Sequence, residues 1–202
     1  MASLNEQYAE RLTHPSDIVT LLPVIHGYAA ACRHVTEFGV HEGNSTVAIL
    51  HARPERFVSY DIREPKDLSL FQACALQEGL DWEFRRGSSL DIQIEPTDLL
   101  FIDTWHHGVQ IKAELYLHHA RVANWILMHD TETNAVNGSK GHPGMRPAIW
   151  EFLEAGDWVV HHHLRECNGL TVLRRARPAI ERILPPEEFA RAKQLMAAQF
   201  GA

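Results

Sequence analysis

A chain of 202 residues, 45% hydrophobic, is the size of one globular domain with enough apolar residues for one core. Its net charge of −7 argues against a nucleic-acid backbone as main partner, because phosphate binding needs a basic surface. The polar, acid-bearing start is no signal peptide and no apolar run is long enough for a bilayer span, so a cytoplasmic protein without a membrane partner is expected.

In chain order, residues 4–11 and 15–31 read as helices, with Ser16 as N-cap of the second and Pro23 expected to kink or split it. They form an expected N-terminal arm, residues 1–33, ahead of a domain covering 34–202. A short apolar run, Val35–Val40, leads into Gly39-x-x-x-Gly43. Asn44-Ser45-Thr46 then opens a helical pattern, and a second apolar run ends on Asp61. Strand, glycine turn, helix, strand and acid describe a ligand crevice at the carboxyl end of a parallel sheet. Gly39 and Gly43 lack a Cβ and let backbone approach a ligand. Asn44 or Ser45 is expected to cap the helix, whose free amides attract a carboxylate or phosphate. Asp61 is placed to accept hydrogen bonds from two ribose hydroxyls. His41 stands where the dinucleotide fingerprint needs its second glycine, so that fingerprint is absent. Glu37 either organises the first turn through the backbone or is a buried acid satisfied locally.

Further on, Leu68–Gly79 reads as a helix, Trp82–Arg86 as a short strand, and Asp98–Asp103 as a central strand buried on both faces. Gln110–Val122 is a predicted helix and Trp125–Asp130 a second buried strand. Residues 131–144 are polar and glycine-bearing and are expected to act as a mobile lid. Arg146–Ala155 is helical. Trp158–Leu164 and Leu170–Arg175 form a predicted hairpin, giving an antiparallel edge strand. Pro185-Pro186 opens a last helix reaching about residue 199. Three cysteines, Cys32, Cys74 and Cys167, have no metal-ligand spacing and read as thiols of a reducing compartment.

The chemistry-bearing segments are FIDTWHHG, residues 101–108, and LMHDTE, residues 127–132. Both follow predicted strands, so Asp103 and Asp130 are expected together at the carboxyl edge of the sheet. With the neutral oxygen of Thr131 they make a sparse all-oxygen site of the kind magnesium takes. Calcium usually takes more ligands, and nearby histidines leave manganese, iron and zinc open. One of His106 and His107 is expected to face the metal as general base. The plainer alternative is that both cap the next helix or face solvent. His129 precedes Asp130 and is expected on the other face of the strand, with a role as alternative ligand left open. His118-His119 read as helix-end cations. His161–His163 lie in a predicted edge strand, where alternation separates them. Trp105 walls a pocket or fills the core.

The residues Glu37-x-Gly39-x-x-x-Gly43 resemble motif I of class I S-adenosylmethionine-dependent methyltransferases. FIDTWHHG resembles the F-x-D-x-W-K segment of catechol-type, metal-dependent O-methyltransferases, and LMHDT their second metal segment, where asparagine follows the aspartate. Gly87–Ile92 resembles their adenine-flanking segment. LFIDTWH, with HDT after the next strand, is also similar to a bacterial group labelled cephalosporin-hydroxylase-like. The resemblance covers roughly residues 35–175.

It implies an α/β, Rossmann-like, doubly wound seven-stranded sheet with the last strand inserted antiparallel and N-terminal helices appended. It implies Asp103 and Asp130 as metal ligands, Thr131 in place of the asparagine, and His106 in place of the catalytic lysine. For S-adenosylmethionine it implies Gly39, His41 and Ser45 at the methionine end, Asp61 at the ribose and Ser88 and Ser89 at the adenine. Glu37, Gly43, Asp103 and Trp105 complete that set. The expected activity is divalent-metal-assisted methyl transfer to a hydroxyl of a small molecule, a sugar or vicinal diol. A homodimer is left open. The alternatives are a non-catalytic binding module of the same fold, or a metal-dependent oxygenase using His107, His129 and Asp103.

Overall fold

The computed structural model describes residues 3–180 and 182–201. Seven strands, β1 (His34–Phe38), β2 (Arg56–Asp61), β3 (Trp82–Arg86), β4 (Thr97–Ile102), β5 (Val122–His129), β6 (Trp158–Leu164) and β7 (Leu170–Arg175), form one sheet. Their order is β3-β2-β1-β4-β5-β7-β6. β1 to β5 pair in parallel, and β7 lies antiparallel between β5 and β6. The predicted antiparallel edge strand is therefore internal. β6 is the edge, and it runs in the sense of β1.

Alternation sends the apolar side chains of the central strands to both faces of the sheet. Val35, Phe57, Leu99, Phe101 and Leu127 enter a core on one face; Phe38, Val58, Leu100, Ile102 and Ile126 enter a core on the other. Helices cover both faces: α1 (Leu4–Thr13), α2 (Leu22–Ala30), α3 (Asn44–Ala52), α4 (Leu68–Gln77), α5 (Gly108–His118), α6 (Met145–Leu153) and α7 (Pro186–Phe200). Among the described residues no helix is long and apolar enough to cross a membrane.

The N-terminal helices are part of this packing. Leu4, Tyr8, Leu22 and Ile25 share the core of Val35 and Phe57. The predicted helix over 15–31 is split: a single 3-10 turn, Val19–Leu21, precedes α2, and Pro23 sits in the first turn of α2, where its missing N–H costs nothing. Ser16 caps neither piece, and its hydroxyl is buried without a partner among the described residues.

Two histidine readings are corrected. A bulge between Val160 and His162 breaks the alternation of β6, so the His161 and His162 rings sit 4.3 Å apart on one side. His118 and His119 are buried, and burial pushes both down to about 4, so they are neutral rather than helix-end cations. His118 donates from Nε2 to the Ser89 carbonyl at 2.7 Å, and its buried Nδ1 has no partner among the described residues.

This gives a signed prediction. A histidine depressed in the fold contributes stability above its unfolded value near 6.5, and that contribution is lost as pH falls towards 4. His118→Gln, which keeps a donor but does not titrate, is expected to flatten the stability–pH slope in that window by up to about 1.4 kcal/mol per pH unit. Urea midpoints measured across the window check it; an unchanged slope refutes it.

Candidate active site

Strand order reverses between β1 and β4, and a crevice opens at their carboxyl ends, as expected for an open α/β sheet. It holds a cavity of about 350 Å³, the size of a small-molecule site. Gly39, His41, Asp61, Ser89, Asp103 and Trp105 all line it, joined by Ser45, His106 and Asp130.

Gly39 lets the backbone leaving β1 approach the backbone leaving β4 closely. Its φ is +86°, and a Cβ there would lie 1.9 Å from the Asp103 carbonyl oxygen. Asp61 Oδ2 accepts from the amides of Val40, at 2.8 Å, and His41, at 3.2 Å. These bonds fix the glycine turn against the end of β2.

Several expected contacts differ. Gly43, with φ +75°, is the N-cap of α3, and its bare Cα faces the Phe71 ring; it serves packing, not the cavity. Neither Asn44 nor Ser45 caps α3: Asn44 accepts from Arg11, and Ser45 donates to Glu37 at 2.6 Å. Glu37 is fully buried and organises the turn through hydroxyls rather than backbone, accepting also from Thr46 and Ser59. Burial raises its carboxyl to about 7. Ser88 accepts from the amide of Leu90 and contacts Met196, shaping the turn below the cavity.

The two acids do meet. His106 Nε2 lies 3.2 Å from Asp103 Oδ1 and 2.9 Å from Asp130 Oδ2. His129 Nδ1 lies 3.3 Å and 3.2 Å from the same two oxygens. Asp130 has φ 60°, a left-handed backbone that a non-glycine residue seldom adopts. That turn undoes the strand alternation, so consecutive His129 and Asp130 converge instead of diverging. Against the cost of burial, the paired carboxylates raise His106 to about 9 and His129 to about 11. The two carboxylates thus hold both rings above the ordinary histidine range.

His107 and Thr131 leave the site. His107 is the N-cap of α5, its Nδ1 accepting from the Gln110 amide at 3.3 Å, and burial lowers it to about 4. Thr131 is buried and accepts from the Thr171 hydroxyl on β7 at 2.9 Å. The 131–144 segment folds as its own meander behind the crevice: Asn137 pairs with Pro143, and the Ser139 amide donates to the His106 carbonyl. It lines the cavity nowhere.

Sequence reading missed Gln110 and Glu114. Gln110 lines the cavity and donates to Ser89 Oγ and to Glu114. Glu114, fully buried, also accepts from Ser89 at 2.6 Å and Thr104 at 2.8 Å. Two polar residues four apart on an otherwise apolar helix face were the available signal.

The acid and histidine donors fit a divalent cation. Asp103, His129 and Asp130 each offer one ligand atom, and these atoms lie within 4.8 Å of one another.

The sheet order, with β7 inserted antiparallel, is the Rossmann-like methyltransferase fold. No family model matches the sequence, and no curated protein does. Among solved structures, a putative caffeoyl-CoA O-methyltransferase from Staphylococcus aureus is similar at 12% identity and TM-score 0.64, over 87% of this chain and 93% of that one. The O-methyltransferase TomG from Streptomyces achromogenes, in complex with S-adenosylmethionine, is similar at 18% identity and TM-score 0.59, over 88% and 91%. An O-methyltransferase from Bacillus cereus, in complex with S-adenosylhomocysteine, is similar at 16% identity and TM-score 0.61, over 85% and 88%. At these identities the likeness is one of fold.

Proposed function

We propose that the protein is an S-adenosylmethionine-dependent O-methyltransferase, assisted by a divalent cation, acting on a hydroxyl of a small molecule such as a sugar or vicinal diol. One observation carries this reading: the Asp103–Asp130–His106 cluster opens into the same cavity as the glycine turn, Asp61 and Ser89. Donor site and acceptor site are thus one space, the arrangement that methyl transfer by in-line displacement needs.

In this reading Gly39 and the turn amides hold the methionine end, Asp61 the ribose hydroxyls, and Ser89 the adenine edge. The carboxylates of Asp103 and Asp130 would hold the cation, which when bound would lower the pKa of an acceptor hydroxyl. S-adenosylmethionine, when bound, would supply its sulfonium methyl to the acceptor oxygen, the C–S bond breaking as the C–O bond forms and S-adenosylhomocysteine being released. The hydroxyl proton goes to His106. With the carboxylate charge neutralised, His106 loses the pull that keeps it protonated and becomes a competent base. Trp105 stacks edge-on against His107 and Phe200 and walls the acceptor side.

Calorimetry with S-adenosylmethionine tests the donor half. Asp61→Ala is expected to weaken binding clearly, since hydrogen bonds to a charged acceptor are each worth about 1.5–3 kcal/mol; unchanged affinity removes Asp61 from the ribose. Labelled methyl transfer to a panel of sugars and diols, with and without cations, tests the rest.

A second reading has one observation in its favour. His106, His129 and the aspartates supply the nitrogens and carboxylate of an iron oxygenase, with His106 in the place expected for His107. Product mass separates the two: an added methyl against an added oxygen.

A further inference from the structure

We infer that His129 is itself a cation ligand through Nδ1, and that the site therefore prefers a nitrogen-accepting metal, manganese, iron or zinc, over magnesium. The inference rests on the cation-assisted reading and replaces its all-oxygen ligand set.

The two ring nitrogens of His129 have different partners. Nε2 faces the carbonyl oxygens of Cys167, at 2.8 Å, and Asp17, at 3.2 Å. Carbonyls only accept, so Nε2 carries a hydrogen. Nδ1 is the nitrogen turned to the carboxylates. A metal-bound histidine is held in this way, its second N–H donated to a backbone carbonyl, which fixes tautomer and ring orientation.

The spacing agrees. Metal–ligand bonds of about 2.0–2.2 Å place adjacent donors about 3.0–3.5 Å apart. His129 Nδ1 stands 3.3 Å from Asp103 Oδ1 and 3.2 Å from Asp130 Oδ2. This convergence depends on the left-handed Asp130, a backbone state that costs free energy and is kept where geometry demands it.

The oxygen that magnesium would want is turned elsewhere. Thr131 is buried and engaged with Thr171 across to β7. Two carboxylates and an imidazole are a mixed set; magnesium strongly prefers oxygen, and imidazole suits first-row transition metals. His129 is 1% exposed, so no rotation into solvent relieves it of the site.

The test loads the wild type with divalent manganese and reads nitrogen coupling by pulsed electron paramagnetic resonance. Nitrogen coupling is expected in the wild type and in His106→Gln, and is expected to be lost in His129→Gln. By calorimetry, zinc and manganese are expected to bind at least about tenfold more tightly than magnesium. If His129→Gln does not fold, the zinc-loaded wild type supplies the reading: long-range proton–nitrogen spectra should move Nδ1 of His129 to a metal-bound position and leave Nε2 protonated. Manganese bound without nitrogen coupling, or coupling unchanged in a folded His129→Gln protein, overturns the inference and leaves cation assistance standing. Failure to bind manganese or zinc while magnesium binds overturns the inference alone; failure to bind any of the three overturns both.

Discussion

Asp103→Asn and Asp130→Asn proteins are expected to bind S-adenosylmethionine and to lose methyl transfer by roughly two to three orders of magnitude, the scale of removing one preorganised electrostatic partner. Each change keeps the shape of the side chain and removes one of the two charges proposed to hold a cation. It also removes half the counter-charge of His106 and His129. Asp130 is the more buried of the pair, so its variant is the more destabilised, by up to about 3–5 kcal/mol when a buried partner is left uncompensated. Turnover, cofactor calorimetry and urea midpoints on the same preparations keep these effects apart. Full transfer by either folded variant, or by chelator-treated wild type, would make the acids substrate-orienting groups instead.

Gly39→Ala is the second large effect, and it is one of stability. The added Cβ would meet the carbonyl oxygen of Asp103 at 1.9 Å and its carbonyl carbon at 2.7 Å. Both atoms are backbone, in the segment that leaves the end of β4, so nothing flexible can move aside. The positive φ adds strain of its own. A loss of more than about 3 kcal/mol is expected, as for other changes that force a special backbone site. Gly27→Ala is the internal comparison. Gly27 lies within α2 with nothing inside 4 Å of the added atom, and alanine there should stabilise by about 0.5–1 kcal/mol. Equal urea midpoints for the two variants would show that the close approach of the segments leaving β1 and β4 tolerates a side chain.

What the sequence discloses follows from what is periodic in it. The apolar runs of β4 and β5 are unbroken because helices cover both faces, and the acids that end β2, β4 and β5 mark the crevice. Asp61, Asp103 and Asp130 were therefore readable as neighbours of one cavity. The misreadings fall where backbone departs from its period. Asp130 in a left-handed turn brings His129 into the site and sends Thr131 out of it, and no residue pattern announces that. The bulge in β6 does the same for His161 and His162. His107 and His106 were indistinguishable as letters; only the start of α5, which uses His107 as its cap, separates them. Gln110 and Glu114 were hidden for the opposite reason, since helical periodicity was read there for packing and not for polar exceptions.

The last helix has a consequence of its own. Met196 and Phe200 of α7 reach the cavity, while Ala192 and Met196 pack it against α5 and Leu90. One wall of the crevice is thus supplied by a helix that packs on α5 and not on the sheet. Any occupant that touches Met196 or Phe200 shares its binding free energy with that docking, and tight occupancy holds α7 down by mass action. The helix is therefore expected to sit more firmly on α5 when the crevice is occupied than when it is empty.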